Sequence, residues 1–93
     1  KHAEALGAFI RADLAQRLAG GGAVRDIRGQ GLLIGIELDR PCAELVKRAL
    51  AEHLLINVTN DTVVRLVPPL VMKQEQAAIL TEKLAGLIRA FVE

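Results

Sequence analysis

The sequence predicts an α+β domain: a small antiparallel sheet of about four strands with helices packed on one face. Three features carry that reading. Apolar residues repeat at helical spacing near both ends, they alternate with a period of two in the middle, and glycine, proline or Asn-Asp punctuation sits at each change of period. The element order is α-β-β-α-β-β-α, and helices segregated to one side of an antiparallel sheet are the layer arrangement such an order builds. Ninety-three residues make a single domain, 1–93, burying ~60 to 65% of the surface its unfolded chain exposes.

Taking the elements in order, Leu6, Ile10, Leu14 and Leu18 recur every four residues with Phe9 beside them. Glu4, Arg11, Asp13 and Arg17 fall elsewhere, which predicts an amphipathic helix from about Ala3 to Leu18. Gly20-Gly21-Gly22 ends it, because glycine takes the left-handed cap conformation cheaply. Val24–Arg28 reads as a short polar strand. The clearest strand follows, with Leu32, Ile34, Ile36 and Leu38 on one face and Leu33, Gly35 and Glu37 on the other. Gly29-Gln30-Gly31 between them permits a tight reversal. It leads into a strand and not a helix N-terminus, so it fails the structural test for a phosphate-binding loop.

Asp39-Arg40-Pro41 is expected to open the second helix, since proline suits a first turn. Its buried stripe would be Cys42, Leu45, Val46, Ala49 and Leu50, with Glu44 and Arg48 as an exposed pair four residues apart. His53 falls at the helix end, where a left-handed residue is needed. Leu54–Thr59 and Thr62–Val67 are β-branched-rich runs separated by Asn60-Asp61, a dipeptide suited to a hairpin turn, and Pro68-Pro69 stops the second run. The last helix, Gln74–Val92, places Ala77, Leu80, Leu84, Leu87, Ile88 and Phe91 at helical spacing, without an evident Ser, Thr or Asp cap.

Composition narrows the functional classes. The chain is 52% hydrophobic but 2% aromatic, so the core is aliphatic, and that much aliphatic surface suits either a dense core or a face covered by another domain or subunit. Twelve basic and eleven acidic residues are scattered to a net charge of +1, with no footprint for nucleic acid or an anionic membrane. No apolar run approaches the ~20 residues that span a bilayer, and Lys1-His2-Ala3-Glu4 reads as helix interior, not as a signal peptide. Cys42 is the single cysteine, and His2 and His53 stand apart from any metal-ligand cluster, so neither a disulfide nor a metal site is expected, and a reducing cytosol fits.

Catalytic chemistry is hard to place. The chain has no serine, and its cysteine, two histidines and three threonines form no nucleophile-and-base pattern. Glu37 and Asp39 are near each other, but structural roles suit them better: an outward strand residue and a helix-start residue. Lys1, Lys47, Lys73 and Lys83 occupy the terminus, a wet helix face or a helix start, whereas a Schiff-base lysine needs a desolvated pocket. Arg65 stands out, mid-strand in Val63-Val64-Arg65-Leu66-Val67. A guanidinium on a stiff strand can grip a carboxylate by two parallel hydrogen bonds, or it can lie solvated with its stem over the sheet, and the residues alone leave both roles open. Arg28 and Arg25 are weaker versions of the same case.

Two stretches resemble a known family. Val24-Arg25-Asp26-Ile27-Arg28-Gly29-Gln30-Gly31-Leu32-Leu33-Ile34-Gly35-Ile36-Glu37-Leu38 resembles the paired strands that open the small domain of class III, pyridoxal-phosphate-dependent aminotransferases of fold type I. Leu54-Leu55-Ile56-Asn57-Val58-Thr59-Asn60-Asp61, then Val63-Val64-Arg65-Leu66-Val67-Pro68-Pro69-Leu70, is similar to the end of those enzymes, and its Leu-Ile-Asn-Val-Thr run points to one amino-acid-biosynthetic branch. The likeness extends over essentially the whole chain. It implies the C-terminal small domain of such an enzyme, with Arg65 binding the α-carboxylate of an amino-acid or oxo-acid substrate. It also implies that the Schiff-base lysine, the aspartate facing the pyridine nitrogen and the phosphate-cup residues belong to the large domain, so pyridoxal phosphate is held there. No catalytic or cofactor-binding residue would then lie within this stretch, which alone would be inactive, and the full-length enzyme would be a cytoplasmic homodimer. Two departures from the family pattern, His53 where glycine is common and the uncapped last helix, bear on local stability. The competing readings are a class III transaminase of another substrate, succinylornithine, ornithine or 4-aminobutyrate, and a free-standing α+β interaction module without cofactor.

Overall fold

A computed structural model describes residues 2–68 and 71–92. The elements are α1 (His2–Arg17), β1 (Val24–Gln30), β2 (Leu33–Leu38), α2 (Glu44–Ala51), β3 (Asn57–Thr59), β4 (Val63–Leu66) and α3 (Gln74–Val92), in the expected order. The four strands form one antiparallel sheet ordered β1-β2-β4-β3, so β2 and β4 are central and β1 and β3 are the edges. Parity along the central strands sets the core. Ile34, Ile36 and Leu38 of β2 and Val64 and Leu66 of β4 are buried together with Leu6, Ile10 and Leu14 of α1, Leu45 and Ala49 of α2, and Leu84 and Ile88 of α3. One face of the sheet thus meets the helices, and the other carries Leu33, Gly35, Glu37 and Arg65.

Local chemistry moves several boundaries from where the sequence places them. The first reversal is a two-residue loop, Gly31-Leu32, because Gly29 and Gln30 remain in the ladder opposite Ile34 and Leu33. Gly31 takes φ +58°, a backbone that L side chains rarely adopt. The second helix does not open at Pro41. Cys42 donates its N–H to the Asp61 carbonyl at 2.8 Å, as Leu38 does to Thr62 at 2.9 Å, and these bonds tie the segment to the β3–β4 turn until Ala43. Asp39 therefore caps nothing and instead accepts from Arg40 Nε at 2.7 Å. Leu50, expected in the buried stripe, points away from the core and is 59% exposed, while Glu44 and Arg48 pair as expected.

The end of α2 explains why β3 is short. His53 takes φ +62°, its N–H bonds Leu50 O at 3.0 Å, and the N–H of Leu54 bonds Ala49 O at 2.8 Å, the paired closure of a Schellman cap. Leu54 thus completes the helix end instead of starting a strand, and β3 begins only at Asn57. Asn60 and Asp61 take the left-handed values expected of their turn. The last helix has the predicted bounds, and the missing cap is supplied from within: Gln76 Oε1 accepts the Lys73 N–H at 2.8 Å, half of a capping box. Of the proline pair expected to stop β4, Pro69 lies outside the described residues; β4 itself ends at Leu66.

Two contacts fix the helical layer. A methyl group on Gly7 would overlap the Gly31 carbonyl oxygen, so α1 lies backbone against the β1–β2 hairpin at a helix position where glycine otherwise costs ~0.5 to 1 kcal/mol. Thr81 of α3, fully buried, has the Asp13 carboxylate of α1 and the Ala78 carbonyl as acceptors for its one proton, and the charged acceptor is the stronger. Asp13 also accepts from Arg17 Nε at 3.2 Å. The Thr81 hydroxyl first, and then Arg17, hold the Asp13 carboxyl below the usual aspartate range against the opposing effect of burial.

Gly7→Ala should push α1 off the hairpin and cost ~1 to 3 kcal/mol of unfolding free energy, measured by urea denaturation. Thr81→Val should cost ~1.5 to 3 kcal/mol at pH 7, the range for a hydrogen bond to a charged group. Because the Asp13 pKa is lowered in the folded state, the stabilisation linked to it is present above the unfolded carboxylate pKa and is lost as pH falls through the folded value. The gap between the Thr81→Val and unsubstituted proteins should therefore narrow in acid, as read from melting temperatures across pH 7 to 3.

Candidate functional site on the open face of the sheet

The face turned away from the helices carries an ordered set of side chains. Strand pairing sets Arg28 of β1 opposite Gly35 of β2, Gly35 opposite Arg65 of β4, and Arg65 opposite Asn57 of β3. One row therefore crosses the sheet as Arg28, Gly35, Arg65 and Asn57. The adjoining row, by the same pairings, is Asp26, Glu37, Val63 and Thr59. Between and around these residues lies an open depression of about 460 Å³, with Gly35 in its lining and Val63 as an apolar wall.

The two arginines of the row are in different electrostatic states. Arg28 Nη1 donates to Glu37 Oε1 at 2.9 Å and to Asp26 Oδ2 at 3.0 Å, and these bonds, Glu37 first, raise its pKa above the ordinary arginine value. Arg65 is exposed, and among the described residues its guanidinium makes no hydrogen bond or ion pair. Asn57 cannot serve it fully, since its Oδ1 accepts the Val58 N–H at 2.9 Å. Among the described residues lining the depression, the free cation is Arg65. A guanidinium offers a planar fork of donors that matches the two oxygens of a carboxylate.

The other sequence candidates fall elsewhere. Arg25 sits at the register shift between Val24 and Asp26, on the side of the fold that faces Asp39, away from the depression. Glu37 and Asp39 are each occupied by an arginine, Arg28 and Arg40, and form no acid–base pair. Cys42 is a buried free thiol whose pKa is raised by burial and then by Asp61, which makes it unreactive. No group of metal-ligating side chains exists among the described residues, and no described helix is long and apolar enough to cross a membrane. Lys47, Lys73 and Lys83 are exposed, so the described lysines do not fit the desolvated site that pyridoxal phosphate requires. Sequence reasoning passed over Gly35. Strand parity shows that it shares a face with Arg65, but its position between two arginines depends on inter-strand register.

Residues 1–88 match the family model described as aminotransferase class-III. The chain belongs to the class III aminotransferase family. Class III aminotransferases are pyridoxal-phosphate-dependent, and curated relatives agree with the assignment. Acetylornithine aminotransferase 1 of Bordetella pertussis is 48% identical over 98% of this chain and 23% of its own length, and the acetylornithine aminotransferase of Nitrosomonas europaea is 42% identical over 99% and 23%. Among solved structures, an ornithine aminotransferase from Plasmodium yoelii superposes with a TM-score of 0.89 at 30% identity, covering 97% of this chain and 25% of that one. An acetylornithine aminotransferase from Elizabethkingia anophelis does so at 0.85 and 28% identity, over 97% and 24%. The chain thus spans about a quarter of the length of the class III enzymes it matches.

Proposed function

We propose that this chain is the C-terminal small domain of an acetylornithine aminotransferase, which moves an amino group between N-acetylornithine and 2-oxoglutarate in arginine biosynthesis. The observation that carries the reading is the unpartnered Arg65 guanidinium on the open face of a rigid antiparallel sheet. Its role is to grip the α-carboxylate of the amino-acid or oxo-acid substrate by two parallel charge-assisted bonds. For glutamate, fixing that carboxylate orients the amine and the Cα–H bond for reaction, an effect of position more than of chemistry. Pyridoxal phosphate, held by a large domain of the same enzyme, supplies the electron sink that amino transfer needs. The 93 residues on their own have no catalytic group and are inactive in this reading.

Exposed apolar side chains support a covering domain. Leu33 at 42% and Val67 at 68% exposure lie on or beside the open face, and Leu55 and Val71 are exposed still further. In this reading the full-length enzyme is a cytoplasmic homodimer. A second reading is an ornithine aminotransferase, favoured by the 0.89 superposition on the Plasmodium yoelii structure. The relatives at 42 to 48% identity, all named for acetylornithine, favour the first.

Arg65→Ala in the full-length enzyme is expected to leave pyridoxal phosphate bound, as read from its visible absorbance. It should cut kcat/KM for the glutamate half-reaction by ~2 to 5 kcal/mol of transition-state stabilisation. Arg65→Lys keeps the charge but not the fork and should recover only part of the loss. Near-normal glutamate kinetics in Arg65→Ala would refute the assignment.

A further inference from the structure

Gly35 is a glycine in the interior of a central strand, where a missing side chain weakens the sheet and needs a reason. The fold does not supply one. The residue does not take a positive φ, and a Cβ built on it would meet only Val63 Cγ1 at 3.6 Å and Arg28 Cγ at 3.9 Å, both ordinary van der Waals distances. The contrast with Gly7 and Gly29 is direct, since a Cβ at either would overlap backbone. Within this chain, alanine would fit at position 35. A glycine that its own fold does not require marks a place where something else comes close.

Its position says what comes close. Gly35 is paired with Arg28 on one side and Arg65 on the other, so the two arginine-bearing strands flank it at two strand spacings, roughly 10 Å apart. It lines the open depression beside the unpartnered Arg65, while Arg28 is occupied by Glu37 and Asp26. We propose that Gly35 is the floor of the carboxylate pocket: its missing side chain leaves the room through which a substrate carboxylate reaches the Arg65 guanidinium. Gly35 is thus a specificity-determining position that excludes side-chain bulk from the ground beside the cation. The inference rests on the role proposed for Arg65.

The test uses full-length enzyme with Gly35→Ala and Gly35→Val, and Arg65→Ala as reference, with glutamate as the carboxylate probe. For Gly35→Ala, melting temperature should be no lower and cofactor absorbance no weaker than in the unsubstituted enzyme, because a Cβ fits the fold; Gly35→Val is read for KM only in the fraction that keeps its cofactor. The KM for glutamate should rise about tenfold for alanine and further for valine, with kcat changing less than KM, the scale at which a pocket resolves one methyl group. If Arg65→Ala raises the glutamate KM but neither Gly35 variant does, the pocket does not use the space above Gly35 and this inference alone fails. If Arg65→Ala leaves KM unchanged, the role of Arg65 falls and takes this inference with it. If the Gly35 variants instead lose cofactor or melt earlier with an unchanged KM in the surviving fraction, the glycine accommodates the backbone of a docked domain, and the pocket assignment is overturned.

Discussion

A four-stranded antiparallel sheet with helices on one side buries chiefly one parity of its residues, Val63 on the open face being an exception, and that constraint organises this molecule. Ile34, Ile36, Leu38, Val64 and Leu66 go inward and are buried to within a few per cent of completely. The intervening residues face the open side, whatever their chemistry. Because β2 pairs with β1 and β4 in a set register, the outward residues form cross-strand rows, and one row holds Arg28, Gly35, Arg65 and Asn57. A slip of one residue would send Arg65 into the aliphatic core, at a desolvation cost no small domain could bear. The position of Arg65 is thus enforced by the same apolar alternation that makes the strand.

Electrostatics then separates two arginines that the register makes near neighbours. Arg28 has two carboxylates within hydrogen-bond distance, and an arginine so occupied is a poor receptor for a third. Arg65 has none among the described residues, and the side chain opposite it on β2 is only a hydrogen atom. In the role proposed for it, Arg65 would hold the α-carboxylate of glutamate or 2-oxoglutarate while the chemistry happens at the neighbouring carbon. Among the described residues of the row, one guanidinium is free and the acids are restricted to the flank, which suits that proposed role without offering the anion two competing seats.

Much of this was legible in the residues. The α-β-β-α-β-β-α order, the bounds of α3, the left-handed His53 and the outward Arg65 all follow from short-range rules of period and cap chemistry. The boundaries that moved did so through bonds to distant residues. The Cys42 N–H binds Asp61 across the fold and delays α2, and the α2 cap claims Leu54 at the expense of β3. Neither partner can be read from local pattern. The same holds for the site, where parity places Gly35 and Arg65 on one face but only the ladder shows them side by side. Gly7 was also passed over, because an apolar helical stripe does not show where two backbones touch.

The central claim, that one-sided burial of the sheet presents Arg65 to a substrate carboxylate, is tested most directly by a crystal structure of the full-length enzyme with a carboxylate substrate or analogue bound. The account predicts both carboxylate oxygens at about 2.7 to 2.9 Å from the Arg65 guanidinium, over the Gly35 backbone. A structure in which the α-carboxylate is held by other residues, with Arg65 in solvent or paired to an acid, would contradict it.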